Sequence, residues 1–442
     1  MLVPGKPPGH TRRMNLLFAN DTPGAYPPSW YAETAQPLPE SPPLRENLRA
    51  DICIVGAGYT GLSAALHLAQ AGFDVAVVEA QRVGFGASGR NGGQVGTGQR
   101  QGQDWLERHA PADARALWDI AEAAKATVQE LITTHGIDAS YRPGIAYAER
   151  SAAGVAKAHS AAAHLAREYG YDQIEPLDRA AMRGLIGSDM FVGGVIDRGA
   201  GHLHPLQFAL GLARAAQKAG VRFYENSPVT RVENAHVLTE QGSVRCDHVI
   251  LACNGYLGGL NAPVAARVMP INNFIIATEP LGARAKTVLT QDIAAADDRF
   301  VVNYWRLSGD NRLLFGGGES YGYRFPNDIA AVVRKPMLQI YPQLKDVTIT
   351  HAWGGTLAIT MNRMPHFSRN GTIYNASGYS GHGVAMATQA GKMIANAIAG
   401  DATQFDTMAR LPNPRFPGGP ALRAPLLALA MTWYSLRDRI GF

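Results

Sequence analysis

The chain has 442 residues, 46% hydrophobic and 17% charged, with 41 basic against 36 acidic side chains. That length exceeds one ordinary domain and suits two intertwined ones, with apolar residues enough for a large core. A net charge of +5 without any Lys/Arg run argues against nucleic-acid binding and leaves only a mild preference for anionic ligands. Cys53, Cys246 and Cys253 have no C-x-x-C spacing and fit neither a disulfide framework nor a zinc site, which points to a reducing, cytoplasmic setting. No apolar run in the sequence reaches the length of a membrane span.

Residues 1–48, with Pro27-Pro28 and Pro42-Pro43, read as an extended arm that Trp30 and Tyr31 anchor to the body. Thr11-Arg12-Arg13 faintly resembles a twin-arginine signal but lacks its apolar length and cleavage site; a start at Met14 is the plainer reading. The next stretch, Asp51 to Glu79, is the most informative. An apolar strand, Ile52 to Val55, leads into Gly56, Gly58 and Gly61 in G-x-G-x-x-G spacing. A helix from Tyr59 and Thr60 to Gln70 follows, then a second apolar strand, Val75 to Val78, ending at Glu79 and Ala80. This is the register of a dinucleotide-binding βαβ unit. The glycines admit a pyrophosphate to the helix N-terminus, and the acid accepts ribose hydroxyls. The unit alone leaves FAD and NAD both open.

Six glycines between Gly84 and Gly96 exclude regular structure, and Ser88, Asn91 and Gln94 interleave hydrogen-bonding groups among them. Helices are expected around 104–108, 113–135, 152–169 and 205–218, and short strands between 221 and 246. Residues 247–252 read as a further buried strand that completes the first sheet. From 268 to 349 the pattern turns to antiparallel strands at 274–278, 300–305 and 312–316, then a helix at 329–340. A strand at 372–376 and the turn Ser377-Gly-Tyr-Ser-Gly-His-Gly383 precede a small-residue helix, Val384 to Ala399. The tail, Leu422 to Ile440, has an amphipathic pattern better suited to packing on the body or a partner subunit than to a membrane.

Together the βαβ unit, the GASGRNGGQ loop and GYSGHGVAMATQAGK resemble the FAD-dependent amine and amino-acid oxidoreductases of the D-amino-acid oxidase superfamily. The loop, Arg312 to Gly318, and the tail Arg415 to Asp438 resemble its γ-glutamylputrescine oxidase branch. The resemblance implies an α/β, two-domain FAD-binding Rossmann-like fold with an antiparallel-sheet substrate domain. On it, the FAD domain takes 49–135, 190–265 and 350–400, the substrate domain 136–189 and 266–349, and a tail helix 401–442. It further implies that Gly56, Gly58, Tyr59, Thr60 and Gly61 flank the FAD pyrophosphate, with Glu79 and Ala80 at the ribose and Val229 at the adenine. Ser88, Gly89, Asn91, Gly92, Gly93 and Gln94 would reach the flavin, and Gly378, Gly381, His382 and Gly383 would line its ring.

Monomeric sarcosine oxidases carry a substrate-gripping lysine where this chain has Ala385, and a flavin-tethering cysteine where it has Gly354 and Gly355. The differences imply non-covalent FAD and a substrate without a carboxylate beside the reacting carbon. The implied reaction is oxidative deamination of a γ-glutamylputrescine-like amine, by hydride transfer to flavin N5. It gives an imine and then an aldehyde, with dioxygen or another acceptor reoxidising the flavin, in the first case to hydrogen peroxide.

Candidate substrate-side residues are His382, Gln94, Tyr304 and Arg306, with Trp305, Arg312, Tyr321, Tyr323 and Arg363 beside them. Aromatic faces would hold the alkyl chain and an arginine a distant carboxylate. Tyr304, Trp305 and Arg306 read equally well as core and edge residues of a strand. His202 and His204 lack a third partner for a metal, so none is expected. Three other readings stay open: a glycine, sarcosine or D-amino-acid oxidoreductase, an NAD-dependent dehydrogenase, and a flavin-binding structural or membrane-surface subunit. A homo-oligomer is compatible with all of them.

Overall fold

A computed structural model describes residues 15–320 and 322–417. The strands Ile52–Val55 and Val75–Val78 are buried along their whole length, as apolar strands covered on both faces must be. They form the middle of a six-stranded sheet in the order His366–Asn370, Ile373–Ser377, His248–Leu251, Ile52–Val55, Val75–Val78, Arg222–Tyr224. Its pairs are parallel except for the outermost hairpin, 366–377. Four short strands, Asn47–Arg49, Ser243–Arg245, His236–Leu238 and Arg231–Glu233, make a satellite sheet.

Two helices cover one face. Tyr59–Gln70 begins at Gly58, which has no side chain to cap it, and Gly383–Ala399 lies against it. The two backbones approach so closely at Gly391 that a Cβ there would sit 2.6 Å from the Ala64 nitrogen and 2.7 Å from the Ser63 Cβ. Gly56, with φ at 107°, makes the turn that only glycine adopts without strain. Gly61 stands over the Gly56 carbonyl, where a Cβ would collide with it.

The second unit is a nine-stranded sheet, larger than the expected 136–189 and 266–349 segments provide. Its path runs Ile349–Ile359, Met269–Pro280, Arg312–Ser320, Tyr304–Leu307, Ala294–Asp297, Arg142–Glu149, Gly193–His202, Gln94–Val95, with Ile174–Leu177 paired to Gly193–His202. Strands 193–202 and 349–359, assigned from sequence to the FAD domain, belong here, so the expected domain boundaries cut through this sheet. Nor is the sheet wholly antiparallel, because Ala294–Asp297 runs parallel to Arg142–Glu149. The strand expected over 300–305 starts only at Tyr304.

The arm is less extended than its prolines suggest. Ser29 caps a short helix, Trp30–Thr34. Tyr31 is fully buried, its ring 4.9 Å from His204 and 5.2 Å from Trp353. After the short helix Thr403–Ala409 the description ends at 417, so the amphipathic tail and the Met14 question lie outside the described residues. No helix among the described residues is long and apolar enough to cross a membrane.

The close helix contact gives the first prediction. Gly391→Val forces a side chain into backbone and should destabilise the protein by about 1–3 kcal/mol. Thermal unfolding followed by circular dichroism should show a lower midpoint; an unchanged midpoint would mean that the two helices separate without cost.

Candidate functional site

Between the six-stranded sheet and the nine-stranded sheet runs a cavity of about 630 Å³. At one end it is bordered by Val55, Gly56, Gly58, Glu79, Ala80 and Val229, at the other by Tyr304, Glu319, Arg363, His382 and Gly383. Glu79 is held by two backbone donors, Ala57 N–H at 2.7 Å and Gln81 N–H at 2.9 Å. Burial raises its pKa while these donors pull it down. Its carboxylate oxygens keep lone pairs that can accept hydroxyl hydrogens.

The glycine loop 84–96 forms the cavity's middle wall. Ser88 Oγ accepts from Tyr59 N–H at 3.0 Å, so this hydroxyl caps the opening helix that Gly58 cannot. A Cβ at Gly58 would lie 2.8 Å from that same oxygen, so the glycine makes room for Ser88 as well as for a ligand. Asn91 braces the loop, donating to the Ala87 and Ser88 carbonyls and accepting from Gly93 N–H. Gln94 donates to the Ala295 carbonyl at 3.0 Å and so pins the loop to the large sheet.

Most of the sequence-expected cofactor positions border the cavity: Gly56, Gly58, Tyr59, Thr60, Glu79, Ala80, Ser88, Asn91, Gly92, Gln94, Val229, Gly381, His382 and Gly383. Gly61, Gly89, Gly93 and Gly378 stand behind its wall instead. Each allows a tight turn or a close backbone approach: Gly89 to the Gly84 carbonyl, Gly93 to the Leu203 carbonyl, Gly378 to Thr360.

His382 Nε2 lies 2.9 Å from the Gly98 carbonyl, which can only accept, so Nε2 carries the hydrogen and Nδ1 is an acceptor. Burial, then the neighbouring Arg100, depresses its pKa to about 4, and the ring is neutral. The following helix starts without a side-chain cap, and its first residues, Gly383 and Val384, border the cavity. Their orphan N–H groups and the helix dipole offer partial positive charge there. Tyr304 places its ring against Gly92 and Gly316 and donates to Asn273 Oδ1 at 2.6 Å. Burial pushes its pKa up, so it stays a phenol.

Three sequence expectations on the substrate side fail. Arg306 is buried away from the cavity: it donates to the Gly92 and Leu307 carbonyls and to Tyr31, and holds the loop to the arm. Arg312 is engaged by Asp310, the Thr278 carbonyl and Thr350. Ala385 packs into the core, while Val384 and Ala387 border the cavity, so position 385 says nothing about a carboxylate grip. Trp305 is core as well. Tyr323 is exposed, and Tyr321 lies outside the described residues. The cavity's arginines are Arg363, from a turn with φ at 66°, and Arg90 and Arg100. Arg100 donates to the Ser380 carbonyl at 2.9 Å, and burial, then Arg363, lowers its pKa. Arg100 and Glu319 were missed; the only sequence signal was their place just past a glycine loop and at the end of a strand.

His204 accepts from Gln207 N–H and meets Thr34 Oγ1 at 3.0 Å, and His202 lies 3.5 Å from Asp292. Among the described residues no group of three or more His, Cys, Asp or Glu is placed to hold a metal.

The family model for FAD dependent oxidoreductases (DAO) matches residues 51–397. The chain belongs to this family. It is 42% identical over 420 residues to γ-glutamylputrescine oxidoreductase of Escherichia coli K12, covering 93% of this chain and 98% of that one. It is 41% identical over 418 residues to a Rhizobium meliloti protein named "Probable oxidoreductase OrdL", covering 93% and 97%. The fold matches glycine oxidase from Geobacillus kaustophilus with a TM-score of 0.68 at 21% identity, over 84% of this chain and all of that one. The cavity fits FAD on chemical grounds. Its lining reaches from Gly56 and Glu79 to Tyr304 and His382, it carries a half-buried acceptor at Glu79, and the helices starting at Tyr59 and Gly383 both open onto it.

Burial of neutral histidines sets an acid limit. His204, His366 and His382 sit at about 3, about 4 and about 4, chiefly through burial, against an ordinary 6.5. Below pH about 6.5 the unfolded chain protonates them and the folded protein does not, so stability falls as pH drops from there towards 4. A tenfold difference in proton affinity between the folded and unfolded chain corresponds to about 1.4 kcal/mol. Urea unfolding at pH 7.5, 6 and 5 should show steadily lower midpoints; a flat profile would contradict their neutral burial.

Proposed function

We propose that the protein oxidises the primary amine of a γ-glutamylputrescine-like alkylamine to an imine, which hydrolyses to an aldehyde and ammonia, with dioxygen as final acceptor and hydrogen peroxide as product. The observation that carries this reading is the end-to-end likeness, at 42% identity, to an oxidoreductase named for that substrate. Bound FAD supplies a hydride acceptor, the flavin N5. Gly56, Gly58, Glu79, Ser88 and Val229 would hold its nucleotide end, and Gly92, Gly381, His382 and Gly383 its ring. The open N–H groups of Gly383 and Val384 would stabilise the negative charge that the ring gains on reduction.

The cavity chemistry supports an amine that also carries a carboxylate. Arg100 and Arg363 bring cationic groups and Glu319 an anionic one to the cavity; Arg363 and Glu319 act on Arg100, and Arg100 acts on His382. The neutral His382, together with Tyr147, Tyr304 and Tyr379 kept as phenols by burial, supplies no strong base. The chain's part is to position and desolvate the amine, which favours its reactive neutral form.

FAD is held without a covalent bond in this reading. The cavity-bordering cysteine among the described residues is Cys253, beside Gly56, and burial pushes its thiol up to about 12. A protonated thiol at the nucleotide end is no tether for the ring. All three cysteines are free, which suits a cytoplasmic enzyme.

Two measurements test this reading. Acid denaturation should leave FAD in the supernatant; colour in the pellet would reject non-covalent binding. Peroxide release should be highest with γ-glutamylputrescine in a panel with putrescine, glycine, sarcosine and D-alanine. In the same assay Arg363→Met should raise KM for γ-glutamylputrescine by about 10- to 150-fold, the loss of one charge-assisted contact worth about 1.5–3 kcal/mol. It should leave KM for putrescine nearly unchanged. Equal losses on both would place the carboxylate elsewhere, and activity only on glycine, sarcosine or D-alanine would reject the amine assignment.

A further inference from the structure

A buried lysine that the proposed reaction does not use lies behind the His382 end of the cavity. Lys125, on the helix Ala114–His135, is 5% exposed. Its ammonium donates to Thr97 Oγ1 at 2.8 Å and to Tyr171 OH at 3.0 Å, and forms an ion pair with Glu122 at 3.0 Å. Tyr171 OH lies 2.7 Å from Asp197 Oδ1, and Thr97 Oγ1 lies 2.9 Å from Tyr171 OH. Asp197 is itself buried and also takes the Gly199 and Ala200 N–H groups. Thr97 alone of the three residues Thr97, Lys125 and Tyr171 borders the cavity.

The hydrogens in this cluster can be placed by elimination. A carboxylate only accepts, so the Tyr171 hydrogen goes to Asp197. Tyr171 therefore has none left for Thr97, and the Thr97 hydrogen must go to Tyr171. Lys125 has only donors, so neither hydroxyl can turn its hydrogen towards it. Thr97 Oγ1 then has one lone pair taken by Lys125, its hydrogen taken by Tyr171, and one lone pair remaining, on a residue that borders the cavity. The hydroxyl is an acceptor and nothing else.

We propose that Thr97 is a specificity-determining residue whose oxygen, its polarity set by Tyr171, Asp197 and Lys125, accepts an N–H from the substrate amine and rejects groups that can only accept. The inference rests on the amine-oxidising reading above. It assigns Tyr171 and Lys125 to positioning. The cluster selects a nitrogen that bears hydrogen over an ether or carbonyl oxygen of the same shape, and so favours release of the aldehyde over the amine that gave rise to it.

The test uses the FAD-loaded enzyme and two inert probes, with binding read from the flavin absorbance. One is a γ-glutamyl chain whose terminal amine sits on a carbon bearing two methyl groups and no hydrogen. The other is the same chain ending in a methyl ether. Wild type should bind the amine probe at least 10-fold more tightly than the ether. Thr97→Val should abolish that preference and Thr97→Ser should keep it within about twofold. Tyr171→Phe removes the acceptor that holds the Thr97 hydrogen, frees it to turn into the cavity, and should shrink the preference at least fivefold while Thr97 is intact. An unchanged preference in Thr97→Val or Tyr171→Phe overturns the proposal. So do variants that shift the flavin spectrum or loosen FAD without moving the ratio, since Thr97 would then face the cofactor. Failure of any amine to reduce the wild-type flavin rejects the functional reading itself; reduction by amines with an unmoved ratio rejects only the role of Thr97.

Discussion

The Arg90 guanidinium, buried in an ion pair with Asp21 at 2.9 Å, also donates to the Phe85 carbonyl at 2.6 Å and the Gly354 carbonyl at 3.1 Å. Its own carbonyl accepts from Trp353 Nε1 at 3.1 Å. One residue thereby joins the arm, the glycine loop and the edge strand of the nine-stranded sheet. A loop with six glycines has little intrinsic shape, and the entropy of ordering it must be offset by contacts outside it. Arg306 repeats the arrangement on the other side, tying the Gly92 carbonyl to Tyr31. Removing Asp21 would leave the Arg90 charge buried and without its counter-ion, a loss that typically costs about 3–5 kcal/mol. The two arginines brace the glycine loop, Arg90 from within the cavity wall and Arg306 from behind it.

That arrangement explains why arginines were hard to sort from sequence. Arg306 and Arg363 look alike as residues beside aromatic or turn-forming neighbours. What separates them is that Arg306 bonds the loop at the Gly92 carbonyl while Arg363 borders the cavity, a placement set by contacts between segments distant in the chain. Tyr304 and Arg306 share a face of their strand by alternation, yet Tyr304 borders the cavity and Arg306 reaches past the loop to the arm. The alternation of a strand names its two faces but not what lies opposite each.

The same physics divides the legible parts of the fold from the rest. The strands Ile52–Val55 and Val75–Val78 and the helix Tyr59–Gln70 were readable to the residue, because a short run carries its own apolar pattern and its own turn chemistry. Ala294–Asp297 and Ile349–Ile359 were not: the first is mostly alanine and the second contains Gly354 and Gly355, residues with little preference for strands. They are strands because the neighbours at Met269–Pro280, Tyr304–Leu307 and Arg142–Glu149 leave edges to be filled. Gly354 and Gly355 also lie where the sheet approaches Phe325 and the Arg90 side chain, so the composition that hid the strand is what the packing requires.

At the site, the motif glycines were legible and the polar logic was not. Glycine spacing reports where backbone must come close, and Gly56, Gly58, Gly92 and Gly381 duly border the cavity. Arg100, Glu319 and Thr97 carry no local signal, since their meaning comes from groups far away in the chain. Among the arginines and the glutamate near His382, the groups that burial shifts most stay neutral: an imidazole depressed to about 4 and phenols that remain protonated. A wall of this kind contributes to catalysis by fixing which atoms donate and which accept, and by excluding water, more than by moving protons itself. The buried charges that make this possible, Lys125 behind the wall and Arg90 in it, are each met by a partner. Through those partners the distant segments of the chain decide what the cavity can hold.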